Sequence, residues 1–130
     1  MKIILDAMGG DNAPQAAVEG AVLAAQHYGC DILLVGDRAR VEPILAGREP
    51  QHITLVHASE VVEMEDKPST VLRQKKDSSM AVGLRLLAEG QADAMISAGS
   101  TGALLTGATL TVKRIRGVRR AALGTMVPQK

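Results

Sequence analysis

The chain has 130 residues, 15 of them basic and 14 acidic, for a net charge of +1; this is one domain's worth of sequence with no general pull on a polyanion. Phe and Trp are absent and Tyr28 is the only aromatic residue, so the aromatic platforms that stack nucleic-acid bases are missing and no nucleic acid partner is expected. Cys30 stands alone, which excludes an internal disulfide and a cysteine-rich metal site, requires no oxidising compartment, and fits a small core residue.

From Met1-Lys2 the sequence passes into three apolar residues and then Asp6, too short a run for the core of a signal peptide, and a cytoplasmic location is expected. Lys2 to Asp6 is too continuously apolar for a half-exposed strand and reads as an inner strand of a parallel sheet. The junction Asp6 to Pro14, DAMGGDNAP, follows. Asp11 or Asn12 can cap the next helix and Pro14 suits its first turn. Ala17, Val18, Ala21, Val22 and Ala25 give that helix an apolar face as far as Gly29. Asp31 to Asp37 is a second buried strand, Ala39 to Ala46 a short helix weakened by Pro43, and His52 to His57 a third strand. Strands alternating with helices imply a parallel sheet with helices on both faces, and ligands of such sheets sit at the carboxyl ends of the strands.

Glu60 to Met80 is the least regular stretch. Glu60, Glu63, Glu65 and Asp66 make it acidic, and Pro68-Ser69-Thr70 then opens a helix carrying Arg73, Lys75 and Lys76. It reads either as a solvated arm whose charges offset each other, or as a segment that turns Arg73, Lys75 or Lys76 over the sheet edge toward an anion. Asp77, Ser78 or Ser79 caps a helix from Met80 to Ala88, with Ala81, Leu84, Leu87 and Ala88 on one stripe and a stop at Gly90.

Ala94 to Leu105, AMISAGSTGALL, reads as a buried strand, a loop from Ser97 to Gly102, and a helix starting near Thr101. First-turn N–H groups lack intrahelical partners, glycines let a ligand approach the backbone, and hydroxyls add donors, so the junction suits phosphate. The competing reading is a capped helix after a tight turn. Ala103 to Ile115 continues as a charge-poor helix that is expected to be buried, and Arg120 to Pro128 as a final strand. Residues 94–112 carry no charge over 19 positions, but six Ser/Thr and three Gly make them too polar for a membrane span.

No Walker-type GxxxxGK[ST] and no GxGxxG occur, which weakens nucleotide readings. His27, His52 and His57 lack the spacing of a metal pair, so no metal site is expected. A nucleophilic serine would need a histidine base, which nothing places near Ser97. Ser97 is taken as a hydrogen-bonding group, and His57, near a strand end, as an outside candidate for a base.

Three motifs in order and spacing, DAMGGDNAP at Asp6 to Pro14, KPSTVLRQKKDSSM at Lys67 to Met80 and SAGSTGALL at Ser97 to Leu105, resemble the PlsX family, the phosphate acyltransferases of bacterial phospholipid synthesis. The resemblance runs through essentially the whole chain. It departs at Ser100, where the family usually has Asn, and at Arg120, in place of the proline of Arg-Pro-Ala. It implies a three-layer αβα fold like those of isopropylmalate dehydrogenases and phosphate acetyltransferases, with this chain as an N-terminal part of a longer enzyme. It further implies transfer of an acyl chain from acyl carrier protein to orthophosphate, no metal or organic cofactor, a homodimer, and peripheral association with the inner face of the membrane.

Under this resemblance orthophosphate is expected on the N–H groups of Gly99, Ser100, Thr101 and Gly102, with Gly9 and Gly10 of the first junction in the same set. Arg73 or Lys76 balances its charge and Ser97 adds a hydroxyl, while Asp6 and Asp11 hold the shape of the first loop. Two other readings are a non-catalytic phosphate-binding or interaction module and an enzyme like phosphate acetyltransferase that uses coenzyme A thioesters.

Overall fold

The first strand, β1 (Lys2–Asp6), pairs in parallel with β2 (Asp31–Gly36) on one side and with β4 (Ala94–Ile96) on the other. A further parallel strand, β3 (Ile53–His57), lies outside β2, so the four-stranded sheet runs β3-β2-β1-β4. The computed structural model describes residues 1–46, 48 and 52–130.

The pleat sorts the apolar residues onto two faces. Ile32 and Leu34 face a core completed by Val18, Ala21 and Ala25 of helix α1 (Gln15–Tyr28) and Val41 of helix α2 (Arg38–Leu45). Ile4 and Val35 face the other side, where Val82 of helix α4 (Ser79–Ala88) closes a second core. Both faces of β1 and β2 are therefore buried, which is why their sequences read as continuous apolar runs. Each fully buried aliphatic side chain, Ile4 and Leu34 among them, contributes roughly 1.5–3 kcal/mol.

The chain steps from β1 to β2 to β3 in one direction, then returns across the sheet to β4 on the far side of β1. Right-handed crossovers in opposite directions place α1 and α4 on opposite faces. They also open a crevice at the carboxyl ends of β1 and β4, the switch point at which parallel α/β sheets hold ligands.

Several local expectations are corrected. Neither Asp11 nor Asn12 caps α1: Pro14 is the cap residue, already helical at φ −85° and ψ −6°, and no side chain bonds there. The turn closes instead through the Asn12 carbonyl, which accepts from Ala16 N–H at 3.0 Å. The short helix α2 starts one residue early, because the Asp37 carboxylate accepts from Ala39 N–H at 3.1 Å. Ser78 caps α4 through Ala81 N–H at 3.2 Å. Ala88 is exposed, and Val82 and Gly83 are buried in its place.

The helix expected from Ala103 to Ile115 is α5 (Thr101–Gly107) followed by a π-helical turn, Ala108–Val112. Thr109 Oγ1 donates to the Leu105 carbonyl at 2.8 Å, and Lys113 N–H reaches five residues back to Ala108 O at 2.9 Å, a widening that hydroxyl back-bonding favours. Only Ala103 and Gly107 of this unit are buried, and Leu110 is exposed; the expected burial is not found. Arg120 to Pro128 forms no strand and is exposed throughout, since a strand exists only where a neighbour pairs with it. No helix among the described residues is long and apolar enough to cross a membrane.

Candidate functional site

At the carboxyl edge of β1 the backbone enters the loop Ala7 to Pro14, and beside it β4 enters the loop Ser97 to Ser100 that leads into α5. The two glycine-bearing junctions of the sequence thus face each other across the switch point. A β-carbon on Gly9 would stand 2.7 Å from the Gly99 nitrogen and 3.0 Å from an Asp6 carboxylate oxygen. Gly10 takes a left-handed φ of 101° against Ala98, where only glycine is unstrained.

Asp6 is 2% exposed, and a buried carboxylate must be met by donors. Its Oδ1 accepts from Met8 N–H at 3.0 Å and from Ser79 Oγ at 2.5 Å, and its Oδ2 accepts from Ser97 Oγ at 2.8 Å. Ser97 Oγ in turn accepts the Gly99 N–H at 3.1 Å. The Ser97 proton is therefore committed to Asp6 and the Gly99 proton to Ser97. Ser100, buried, caps α5 by accepting Ala103 N–H at 3.3 Å. This leaves the N–H groups of Ser100, Thr101 and Gly102 without a hydrogen-bond partner among the described residues, with Thr101 exposed and Gly102 half-buried. A cleft of about 310 Å³ at the same edge is lined by Leu5, Asp6, Gly9, Asp11, Ile96 and Ala98, and by none of Ser100, Thr101 and Gly102.

The basic segment reaches this corner from the side. Pro68 packs on Gly102, within 3.1 Å of where its β-carbon would be, and Val71 of the short helix α3 (Val71–Gln74) joins Met80, Leu84 and Ala103 in a third apolar cluster. Lys75 does not face an anion site: its Nζ pairs with Asp66 Oδ2 at 2.7 Å and with the Val61 carbonyl at 2.9 Å. Arg73 and Lys76 are exposed and enter no ion pair among the described residues.

Asp11 is exposed, and its side chain makes no hydrogen bond among the described residues. His57 is not brought to Ser97. It ends β3, three strands from β4, roughly 14 Å at the usual strand spacing, and its Nδ1 accepts from Arg38 N–H at 3.1 Å. Among the described residues no group of three His, Cys, Asp or Glu could hold a metal ion. Sequence reasoning missed Ser79. The signal was the Ser78-Ser79 pair: a helix start uses one capping hydroxyl, and the second needs another partner.

Over residues 1–130 the chain matches the family model described as fatty acid synthesis protein. It is 50% identical to a phosphate acyltransferase of Myxococcus xanthus, over 98% of this chain and 37% of the relative. It is 48% identical to one of Clostridioides difficile, over 98% of this chain and 38% of the relative. With a phosphate acyltransferase of Acetivibrio thermocellus the identity is 47%, over 100% of this chain and 39% of the relative. The chain thus spans less than two fifths of the length of these relatives.

Proposed function

The chain belongs to the fatty acid synthesis protein family, the PlsX family of the sequence resemblance, and on that premise we propose that it is the phosphate-binding α/β domain of a longer phosphate acyltransferase. Orthophosphate sits on the N–H groups of Ser100, Thr101 and Gly102 and the Thr101 hydroxyl. Arg73 or Lys76 supplies the balancing positive charge. Gly9, Gly10 and Gly99 keep the floor of the site free of side chains, Ser97 and Asp6 brace it, and Asp11 lies on its rim. What supports this reading is the set of uncommitted N–H groups at the switch point of the sheet, where a small anion is held by backbone dipoles.

In the reaction a phosphate oxygen attacks the carbonyl carbon of an acyl thioester. The C–O bond forms, the C–S bond breaks, and the thiolate leaves with acyl phosphate as product. Phosphate is already a nucleophile, so positioning and charge stabilisation supply most of the acceleration without a covalent enzyme intermediate. The acyl chain is delivered on acyl carrier protein, and the enzyme is a cytoplasmic homodimer at the inner face of the membrane. The exposed Leu110, Ile115, Leu123 and Met126 support an apolar contact of that kind.

The fraction of its relatives that the chain spans favours a second reading for the isolated 130 residues, a module that binds phosphate without turnover. Calorimetry with inorganic phosphate and an assay for acyl phosphate from acyl carrier protein thioester separate the two. Binding with turnover is expected of the enzyme, binding alone of the module, and absence of phosphate binding overturns both.

A further inference from the structure

Two neighbouring serines open α4, and they are tied to different partners. Ser78 caps its own helix, whereas Ser79, 2% exposed, donates its hydroxyl to Asp6 Oδ1 at 2.5 Å across 73 positions of sequence. That length belongs to charge-assisted O–H···O⁻ bonds, which are stronger than neutral ones. Asp6 receives one donor from each of three segments: Met8 of its own loop, Ser79 of α4, and Ser97 of the loop before α5. The last of these also accepts the Gly99 N–H, so a continuous chain of hydrogen bonds runs from the first turn of α4 to the glycine loop.

We propose that Ser79 is a positioning residue for the phosphate loop: through Asp6 it fixes the Ser97 hydroxyl, and with it the Gly99 peptide, so that the following N–H groups face outward together. The inference rests on the phosphate-seat reading of the same corner. Without the Ser79 hydroxyl, Asp6 Oδ1 keeps only the Met8 N–H. A buried carboxylate that loses a donor turns to recover one, and the partner it shares with the loop is Ser97. Ser79 touches no ligand, and its effect on phosphate exists only while Asp6 is there to transmit it.

The test is a double-mutant cycle read by calorimetry with inorganic phosphate on the wild-type chain, Ser79→Ala, Asp6→Asn and the double variant, with Thr101→Ala as a marker of the seat itself. Ser79→Ala is expected to weaken phosphate about tenfold, the scale of one charge-assisted hydrogen bond. In the Asp6→Asn background the same change is expected to add less than about twofold, because the transmitting group is already altered. The Gly99 amide resonance should shift in Ser79→Ala. If Ser79→Ala does not fold, Ser79→Cys, of similar volume and a poor donor, carries the same expectation. Ser79→Ala that lowers the melting temperature but leaves phosphate affinity and the Gly99 resonance unchanged overturns the proposal. So do additive losses in the cycle. Should Thr101→Ala weaken phosphate while Ser79→Ala does not, the seat stands and the positioning role falls; should the wild type bind no phosphate, the seat falls and takes this role with it.

Discussion

Gly9 lies against Gly99 so closely that a β-carbon on the first would stand 2.7 Å from the nitrogen and 3.0 Å from the α-carbon of the second. Backbone meets backbone here, and neither side can yield as a flexible side chain would. Gly9→Ala is therefore expected to force the two loops apart and to destabilise the chain by about 1–3 kcal/mol, the scale of overpacking. Gly20→Ala is the control: among the described residues nothing lies within 4 Å of its β-carbon position. Removing a helix-interior glycine should stabilise α1 by about 0.5–1 kcal/mol. Urea unfolding of both variants checks the contrast in sign.

Ser100 stands where the sequence resemblance implies an asparagine, yet its hydroxyl caps α5 at Ala103 N–H, and asparagine is an equally good capping residue. Ser100→Asn should leave stability within about 0.5 kcal/mol, whereas Ser100→Ala should cost about 1 kcal/mol. Equal losses in the two variants would show that the hydroxyl does more than cap.

Asp66 and Asp77 give the fold an acid dependence. The Lys75 ammonium, then the Glu63 N–H, hold the Asp66 carboxyl below its ordinary value. The Ser59 hydroxyl, then the Ser59 N–H, do the same for Asp77, with the Arg85 guanidinium adding positive charge. Both groups thus titrate at lower pH in the folded chain than in the unfolded one, and on acidification the unfolded chain takes up protons first. Their contribution is complete above the ordinary carboxylate value of about 4 and is lost as pH falls below it. Urea midpoints measured between pH 7 and pH 3 should fall at the acid end, and the Asp66→Asn, Asp77→Asn double variant should show a shallower fall over the same range.

Lys76 and Lys75 are neighbours with opposite expectations. Lys75 is committed to Asp66, whereas Lys76 enters no ion pair among the described residues. Calorimetry with inorganic phosphate should find Lys76→Ala and Thr101→Ala each weaker by about tenfold, the loss of a hydrogen bond to a charged group. Lys75→Ala should leave phosphate affinity within about twofold while lowering the urea midpoint. Unchanged affinity in both Lys76→Ala and Thr101→Ala would refute the seat.

Composition and short-range pattern carried much of the architecture. The unbroken apolar runs of β1 and β2 announced a sheet buried on both faces, because such a run has no wet side. The Ser-Ala-Gly-Ser-Thr-Gly stretch marked a helix start, and α5 does begin at Thr101. The same patterns failed where the outcome rests on a neighbour. Arg120 to Pro128 reads as a strand but pairs with no strand among the described residues, and the charge-poor segment after Ala103 reads as buried although Leu110 meets solvent.

The site was legible as two glycine junctions and no further. That they lie backbone to backbone follows from the return of the chain to β4 beside β1, and the role of Ser79 from a bond to a residue 73 positions away. Sequence determined where β1, β2 and the start of α5 lie, because those depend on residues within a few positions of one another. Tertiary structure alone decided which hydroxyls and N–H groups are committed to Asp6 and its partners and which stay open to an anion, because a hydrogen bond between distant segments leaves no periodicity in the chain that makes it.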